Sequence, residues 1–523
     1  RMARTAARQP GAMAVGAVDL VTEQLRIAAG RSTVEPEPKD RRFAHDAWRE
    51  NPFYRRLGQS YLAWDRTVHQ FLDDLELDEK SRLRAEFLAR LVTDAAAPTN
   101  NLLGNPAALE EARRTKGRSL IDGARHALHD LRENGGMPSM VDSRPFVPGE
   151  TVAATPGNVV FSNAVLELIQ YQPTTKKVHQ RPLLIVPPQI NKYYILDLAP
   201  GRSLIEHAVS SGHQVFGISW FNPGPEQRDW DLDTYVAAIL EATDAAIEIT
   251  ASPDVNLLGV CAGGITSAAA LGYLAATGDD RVSSASFLVT ILDWDVPSTV
   301  GTFVSGPVIA AATRQSRRKG ILAGEDLSRL FAWMRPNDLV WNYWVNNYLL
   351  GKNPPAFDVL AWNGDATNLP AGLHGDFMEM AGNNAMVQPD AVEVFDTPID
   401  LGRVECPSFI VGAVTDHITP WEACYRTTGL LGGESEFVLS SQGHIQALVN
   451  PAGNPKGSYR TNPRTPTTAD GWLEGSVEHQ GSWWEHWMAW LEPKAGDLVA
   501  APKRLGSKAH PAGESAPGSY VLG

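Results

Sequence analysis

Hydrophobic and polar positions change rhythm along this chain, and each change marks a different kind of structure. From Arg41 to about Arg132, apolar residues recur at three- and four-residue spacing, through YRRLGQSYLAWDRTVHQFLDDL and again through EKSRLRAEFLARLV. That period gathers apolar side chains on one face of a helix, so a helical region is expected here. Breaks fall at Ala97-Pro98-Thr99-Asn100 and at Asn134-Gly135-Gly136-Met137-Pro138, where Pro, Gly and Asn favour turns. From Phe146 onward the texture shifts to short β-rich runs: VVFSNAVLELIQY, PLLIVPP and HQVFGISW.

Between about Arg181 and Val296, strand-like and helical runs alternate. PLLIVPP precedes SLIEHAVSSG, QVFGISW precedes TYVAAILEATDAAIEI, and VNLLGVC precedes ITSAAALGYLAATG and then SASFLVTIL. Near-continuous apolar strands separated by amphipathic helices predict a parallel sheet covered on both faces. The alternation lapses between about Pro297 and Asp396, a helical stretch rich in aromatics, before PSFIVGAVTD and SEFVLSS resume it. The expected class is α/β: an α/β-hydrolase-like, mostly parallel sheet with a helical lid inserted at 297–396, preceded by a helical N-terminal region. In domain terms, a disordered tail is expected at 1–40 and a helical domain at 41–145. The catalytic α/β domain is expected at 146–500, and a Pro/Gly/Ala-rich tail at 501–523.

Bulk properties narrow the function. At 523 residues the chain exceeds what one hydrophobic core usually organises. Hydrophobic residues at 43% and charged residues at 20% are the mix of a soluble globular protein. A net charge of -14 and a pI near 5.4 argue against a nucleic-acid partner, which needs clustered Lys and Arg. No run approaches the ~18 apolar residues that span a bilayer. Cys261, Cys406 and Cys424 are an odd set without CxxC pairing, so neither a disulfide framework nor a metal site is expected. A reducing cytoplasm fits, and would keep a reactive thiol free. The Arg- and Ala-rich start has no continuous apolar stretch of a targeting peptide, and Arg1 before Met2 suggests a natural start elsewhere.

The strongest local signal is Asn256-Leu257-Leu258-Gly259-Val260-Cys261-Ala262-Gly263-Gly264. It has the G-x-nucleophile-x-G form of a nucleophile elbow, with Cys in place of the usual Ser. The elbow glycines Gly259 and Gly263 relieve crowding where a strand turns sharply into a helix. At the helix N-terminus, backbone N–H groups favour a thiolate and a developing oxyanion. A buried structural Cys in a Gly-rich turn is the plainer alternative. The apolar strand before the motif and the Ala-rich helix after it favour the elbow.

A nucleophile needs a base, and the base needs an orienting acid. In this fold class the order is nucleophile, acid, His. Asp416 stands at the end of the strand SFIVGAVT, and His444 follows SEFVLSS in a loop, 28 residues on. Asp416 alone could be a cap for a helix starting at Thr419-Pro420. His417 is a rival base beside the acid; His444 is preferred because it follows the last core strand. Cys406 and Cys424, in apolar surroundings, read as small core residues. The oxyanion hole should combine the N–H of Ala262 with one from the loop Pro187-Pro188-Gln189-Ile190-Asn191-Lys192, where the prolines lack donors and the nearest N–H groups are those of Gln189 and Ile190, of which Ile190 is the candidate. A cysteine suits transfer from a thioester to an alcohol. Exchange of one thioester for another costs little, and the acyl group stays activated for delivery to a hydroxyl if water is excluded. Trp333, Trp341, Trp344 and Trp362 could supply a water-excluding cover, or could be ordinary core.

These residues resemble the poly(3-hydroxyalkanoate) synthases from about Arg41 to the end of the chain. The motifs include NPFYRRLGQSYLAW, APTNNLLGNP, TPGNVVFSNAVLELIQY, RPLLIVPPQINKYYILDL, GVCAGG, TDHITPW and GHIQALVNPAGNPKG. The resemblance implies catalytic Cys261, Asp416 and His444, an (R)-3-hydroxyacyl-CoA donor, free CoA as product and a growing polyester chain. It implies no cofactor, since CoA enters with the substrate. It also implies a homodimer and a cytoplasmic location on polyester granules, beside their coat proteins. GVCAGG, VPPQINKYY and NYWVNNYLLG look most like the single-subunit synthases of medium-length monomers. Lys192 and Arg335 are the candidate CoA contacts, because they lie in family-like motifs near the core loop and the lid. A hydrolase of the same fold and a non-catalytic granule-coating protein are the competing functions.

Overall fold

The computed structural model describes residues 10–297, 301 and 306–523, which divide into two compact units. The first unit takes the chain up to Ser143 together with Arg329–Phe357, and the second takes Arg144–Ser328 and Asp358–Gly523.

In the first unit, helices run over α1 (Pro10–Ala28), α2 (Pro52–Asp73), α3 (Glu79–Ala95), α4 (Pro106–Arg114) and α5 (Arg118–Glu133). Their starts are written locally. Asn51 accepts from the N–H groups of Phe53 and Tyr54, Asp78 from Ser81, and Asn105 from Ala108. Proline follows Asn51 and Asn105 at the first helical position, where its missing N–H costs nothing. Phe43, Trp48, Tyr61, Leu62 and Ala97 form a small core, with Phe43 set edge-on to Trp48 at 4.8 Å.

Two expectations are corrected here. The tail expected to be disordered at 1–40 contains α1, although residues 1–9 lie outside the described set. Composition could not reveal its partner: Ile27 is buried, and Ser60 of α2 donates its hydroxyl to Gln24 Oε1 at 2.9 Å. The stretch 297–396 is also not one piece. Residues 298–300 and 302–305 are outside the described set, and 329–357 belong to the first unit. Asn337 donates to Asp94 Oδ1 at 2.6 Å, Asn347 to the Ser139 carbonyl at 2.7 Å, and the Tyr348 hydroxyl to Asp130 at 2.8 Å. Contacts between positions some 200 residues apart in sequence leave no trace in local periodicity.

Among the described residues, the second unit carries a ten-stranded sheet. Its strands are β1 (Gly157–Ser162), β2 (Leu166–Tyr171), β3 (Leu183–Val186), β4 (Val215–Trp220) and β5 (Val255–Val260). They continue with β6 (Val282–Leu288), β7 (Ser408–Ala413), β8 (Ser435–Ser440), β9 (Ser458–Thr461) and β10 (Val477–Gln480). The spatial order is β1-β2-β4-β3-β5-β6-β7-β8-β9-β10. Neighbours from β4 through β8 are parallel, and the strands outside them pair antiparallel. Helices α6 (Leu204–Ser210), α7 (Leu232–Thr250), α8 (Ala262–Thr277) and α9 (Trp421–Leu430) make the crossovers.

Alternation along the strands loads both faces of the sheet. Leu183, Ile185, Leu258, Val260, Phe409 and Val411 enter one core, while Leu184, Val186, Leu257 and Ile410 enter the other. Each such side chain contributes about 1.5–3 kcal/mol on burial. The chain runs from β3 out to β4, then crosses back over β3 to β5. That reversal opens a crevice at the carboxyl ends of β3 and β5, where ligands bind in open α/β sheets. After β10, Leu498–Ala500 pairs with Lys177–His179, so the irregular C-terminal segment begins later than Lys494. It is nonetheless tied down: Glu514 accepts from the Val159 N–H at 2.9 Å, and Val521 is buried.

Candidate active site

Cys261 follows the last residue of β5 and stands immediately before α8, with φ 51° and ψ -120°. A non-glycine residue in that region stores on the order of 1–3 kcal/mol of strain, held by the structure around it. The Cys261 N–H donates to the Leu288 carbonyl at 2.9 Å, and its own carbonyl accepts from Gly264 at 2.9 Å. The elbow glycines permit the turn by close approach. A Cβ on Gly259 would stand 2.7 Å from the Gly264 Cα, and one on Gly263 would stand 2.4 Å from the carbonyl oxygens of Val186 and Pro187. Gly263 therefore brings the start of α8 against the end of β3. The Ala262 N–H, first in its helix, has no intrahelical acceptor and is free to serve an oxyanion.

Asp416 lies three residues past β7, and its carboxylate is fully engaged. Oδ1 accepts from the N–H groups of Ile418 at 2.8 Å and Thr419 at 2.9 Å. Oδ2 accepts from the Thr419 hydroxyl at 2.6 Å and from His444 Nδ1 at 2.6 Å. His444 is the first residue of a short helix, His444–Leu448, where a loop was expected. Its ring also lies near enough to the Cys261 side chain for the two to interact electrostatically. With Nδ1 committed to Asp416, Nε2 is the nitrogen left for the thiol.

The structure thus brings Cys261, His444 and Asp416 together in that order. The capping alternative is not what the structure shows: the helix begins at Trp421 with Pro420 at its N-cap and no side-chain cap, and Asp416 accepts from Ile418 and Thr419 in the loop before it. His417 is partly buried, and the ring that meets Asp416 is that of His444.

The electrostatics follow from burial and pairing. Burial pushes His444 toward the neutral form, but the Asp416 carboxylate and the Cys261 side chain outweigh it and raise its pKa to about 10. Burial also opposes the Asp416 charge, yet His444 and the Thr419 donors hold the carboxyl below its ordinary range. Thr419 was not singled out in the sequence. Its only signal was a Thr three residues after the acid, in the loop before the helix Trp421–Leu430. Cys424 is fully buried and its thiol is pushed well above the ordinary range, while burial takes Cys406 to about 11. Only Cys261 combines partial exposure with a histidine partner among the three thiols.

The remaining candidates are placed as follows. Ile190 lies in the loop after β3, where its carbonyl accepts from the Thr367 N–H at 3.0 Å. Lys192 is buried, and its ammonium donates to the carbonyl oxygen of Gly523, so it is turned away from solvent where a CoA phosphate would meet it. Arg335 belongs to the first unit, where it pairs with Asp338 at 2.5 Å and lines a cavity of ≈ 1180 Å³. Trp333, Trp341 and Trp344 form an edge-to-face ladder in that unit, whereas Trp362 is buried in the second. No cluster of three metal-ligating side chains occurs among the described residues. No helix among them is long and apolar enough to cross a membrane.

The strand order and the elbow after β5 define the class: an α/β-hydrolase fold, and residues 182–451 match the family described under that name. Residues 39–208 match the family described as the N-terminus of poly-beta-hydroxybutyrate polymerase (PhaC). Poly(3-hydroxyalkanoate) polymerase 1 of Ectopseudomonas oleovorans is 48% identical, over 99% of this chain and 92% of its own. Poly(3-hydroxyalkanoate) polymerase subunit PhaC of Cupriavidus necator is 41% identical, over 95% of this chain and 85% of its own. A soluble variant of monoglyceride lipase from Saccharomyces cerevisiae matches 67% of this chain and 98% of its own, at 11% identity and a TM-score of 0.38. The chain belongs to the poly(3-hydroxyalkanoate) polymerase family, and it is an enzyme of the acyltransferase type that makes polyhydroxyalkanoate.

Proposed function

We propose that this enzyme polymerises (R)-3-hydroxyacyl-CoA with release of CoA, through an acyl thioester on Cys261. The observation that carries the reading is the convergence of Cys261, His444 and Asp416 at the carboxyl ends of parallel strands, with His444 hydrogen-bonded to Asp416 and coupled electrostatically to Cys261. His444 takes the thiol proton, and the thiolate attacks the acyl carbonyl carbon. The tetrahedral intermediate collapses, CoA leaves as the thiol after receiving that proton, and the acyl group stays on sulfur. A 3-hydroxyl of the incoming unit then attacks the acyl-Cys, its proton passing to the base, and Cys261 is regenerated. The N–H groups of Ala262 and Ile190 are the proposed oxyanion donors. The raised basicity of His444 favours keeping the proton on the imidazole while sulfur carries the charge. Asp416 orients His444 and, in this reading, assists deprotonation of the incoming hydroxyl.

No cofactor is needed, because the thioester itself supplies the driving force. A homodimer on the surface of a cytoplasmic polyester granule, among coat proteins, completes the reading, with medium-length side chains preferred. The test is release of free CoA from 3-hydroxybutyryl-CoA and 3-hydroxydecanoyl-CoA, with sizing of the product. Insoluble polymer is expected, faster from the longer substrate, and Cys261→Ala should release none. Soluble hydroxy acid as the product would overturn the synthase reading in favour of a hydrolase.

A further inference from the structure

The loop that follows β3 is held from two sides. On the sheet side, the Trp220 indole donates to the Pro187 carbonyl at 2.8 Å, and the Gln189 amide donates to Thr266 Oγ1 of α8 at 3.0 Å. On the other side stands Trp362–Thr367, a short segment from the stretch read as the lid, in the same unit as the loop. The Trp362 indole N–H donates to the Lys192 carbonyl at 2.7 Å, with both groups buried. The Tyr194 hydroxyl donates to Asp365 Oδ2 at 2.8 Å. The Thr367 N–H donates to the Ile190 carbonyl at 3.0 Å, and Asn191 bridges Ala366 antiparallel. Ion pairing of Arg202 with Asp358 anchors the helical turn from which Trp362 projects.

This arrangement has a consequence for the loop's geometry. Two consecutive prolines, Pro187 and Pro188, have no N–H and cannot be pinned by donating to the sheet. The loop leaves the sheet at Val186, so its far half must take its position from elsewhere. The Ile190 and Lys192 carbonyls, the Asn191 backbone and the Tyr194 hydroxyl all meet Trp362–Thr367, while the Lys192 ammonium goes to Gly523. Fixing the Ile190 carbonyl and the Asn191 backbone fixes the torsions that aim the Ile190 N–H. An oxyanion donor acts only if it is in place before charge develops.

We propose that Trp362, Asp365 and Thr367 are positioning residues for oxyanion stabilisation, clamping the Ile190 loop against the elbow. The proposal rests on the reading of Ile190 as an oxyanion donor. Its corollary is that displacement of this part of the lid stretch loosens the oxyanion hole, so the site is competent only when the clamp is closed.

The experiment uses the full-length enzyme and three variants: Trp362→Phe, Asp365→Leu and Tyr194→Phe. Each removes one clamp contact and keeps the ring or the shape. Steady-state CoA release gives kcat and KM. A hydroxyacyl-CoA analogue with a trifluoromethyl ketone in place of the thioester adds Cys261 as a tetrahedral adduct and reports on the oxyanion hole. Iodoacetamide alkylation of Cys261 reports on the nucleophile without it.

Misplacement of a positioned group by about 1 Å costs up to ~100-fold, so kcat should fall between about 10-fold and 100-fold. Analogue affinity should fall in parallel, with KM within about twofold. The alkylation rate and the urea midpoint should stay near those of the parent. Unchanged analogue affinity in all three variants would overturn the clamp, as would a loss confined to KM or to stability. Replacement of residue 190 by its α-hydroxy acid removes that N–H alone and separates the two ideas. If this ester leaves analogue affinity intact, Ile190 is not the donor and the underlying reading fails. If the ester weakens the analogue while the clamp variants do not, only the clamp fails.

Discussion

Thr419 holds the Asp416–His444 pair from two directions, through its backbone N–H to Oδ1 and its hydroxyl to Oδ2. Its oxygen also lies 3.1 Å from His444 Nδ1, inside the fork between acid and base. A hydrogen bond to a buried charged group is worth about 1.5–3 kcal/mol, so Thr419→Val should lower unfolding free energy by that order. The same variant should raise the acid limb of the pH–rate profile, because Thr419 lowers the carboxyl pKa. Thr419→Ser should restore both, as measured by urea titration and CoA release. The three thiols offer a second check at this scale. Iodoacetamide at neutral pH should label Cys261 first. Cys406 and Cys424, with thiols shifted upward by burial, should react only in denaturant, as peptide mapping would reveal.

At the scale of elements, the active site depends on how closely α8 meets the end of β3. Gly263 makes that contact possible, since any Cβ there would collide with the Val186 and Pro187 carbonyls. Backbone oxygens at the end of a central strand cannot move aside as a flexible side chain could. Gly263→Ala should therefore destabilise by about 1–3 kcal/mol, the usual cost of overpacking, and should depress kcat more than KM. Denaturation and steady-state kinetics on one preparation would check both. This element was largely legible in the sequence, because the glycine spacing, the apolar strand and the Ala-rich helix agree. The helix that begins at His444 was not legible. Five residues are too few for a period to register, and a preceding glycine suits a loop equally well.

At the scale of the whole molecule, acid should weaken the fold through buried histidines. Burial, with His179 and His207 nearby, lowers the pKa of His213 to about 3. The unfolded chain binds a proton at this ring below about 6.5 while the folded chain does not until about 3. Stability is therefore expected to fall as pH drops through that interval. His213→Gln removes this term, so its urea midpoint should decline less between pH 7 and pH 4.5 than that of the parent. A decline of equal steepness would place the acid sensitivity elsewhere.

Local chemistry written into the sequence was enough for the parallel sheet, the elbow at Cys261 and the order of Asp416 and His444. Each of these depends on neighbours within a few residues, or on the fixed topology of one fold class. The tertiary structure decided what long-range packing controls. It gave α1 a partner in α2, drew Arg329–Phe357 into the helical unit, and set Lys192 against Gly523. It also set Thr419 in the fork of the Asp416–His444 pair and Trp362 against the loop that follows β3. Such contacts join positions up to several hundred residues apart, and burial with hydrogen bonding selects them only once the chain has folded.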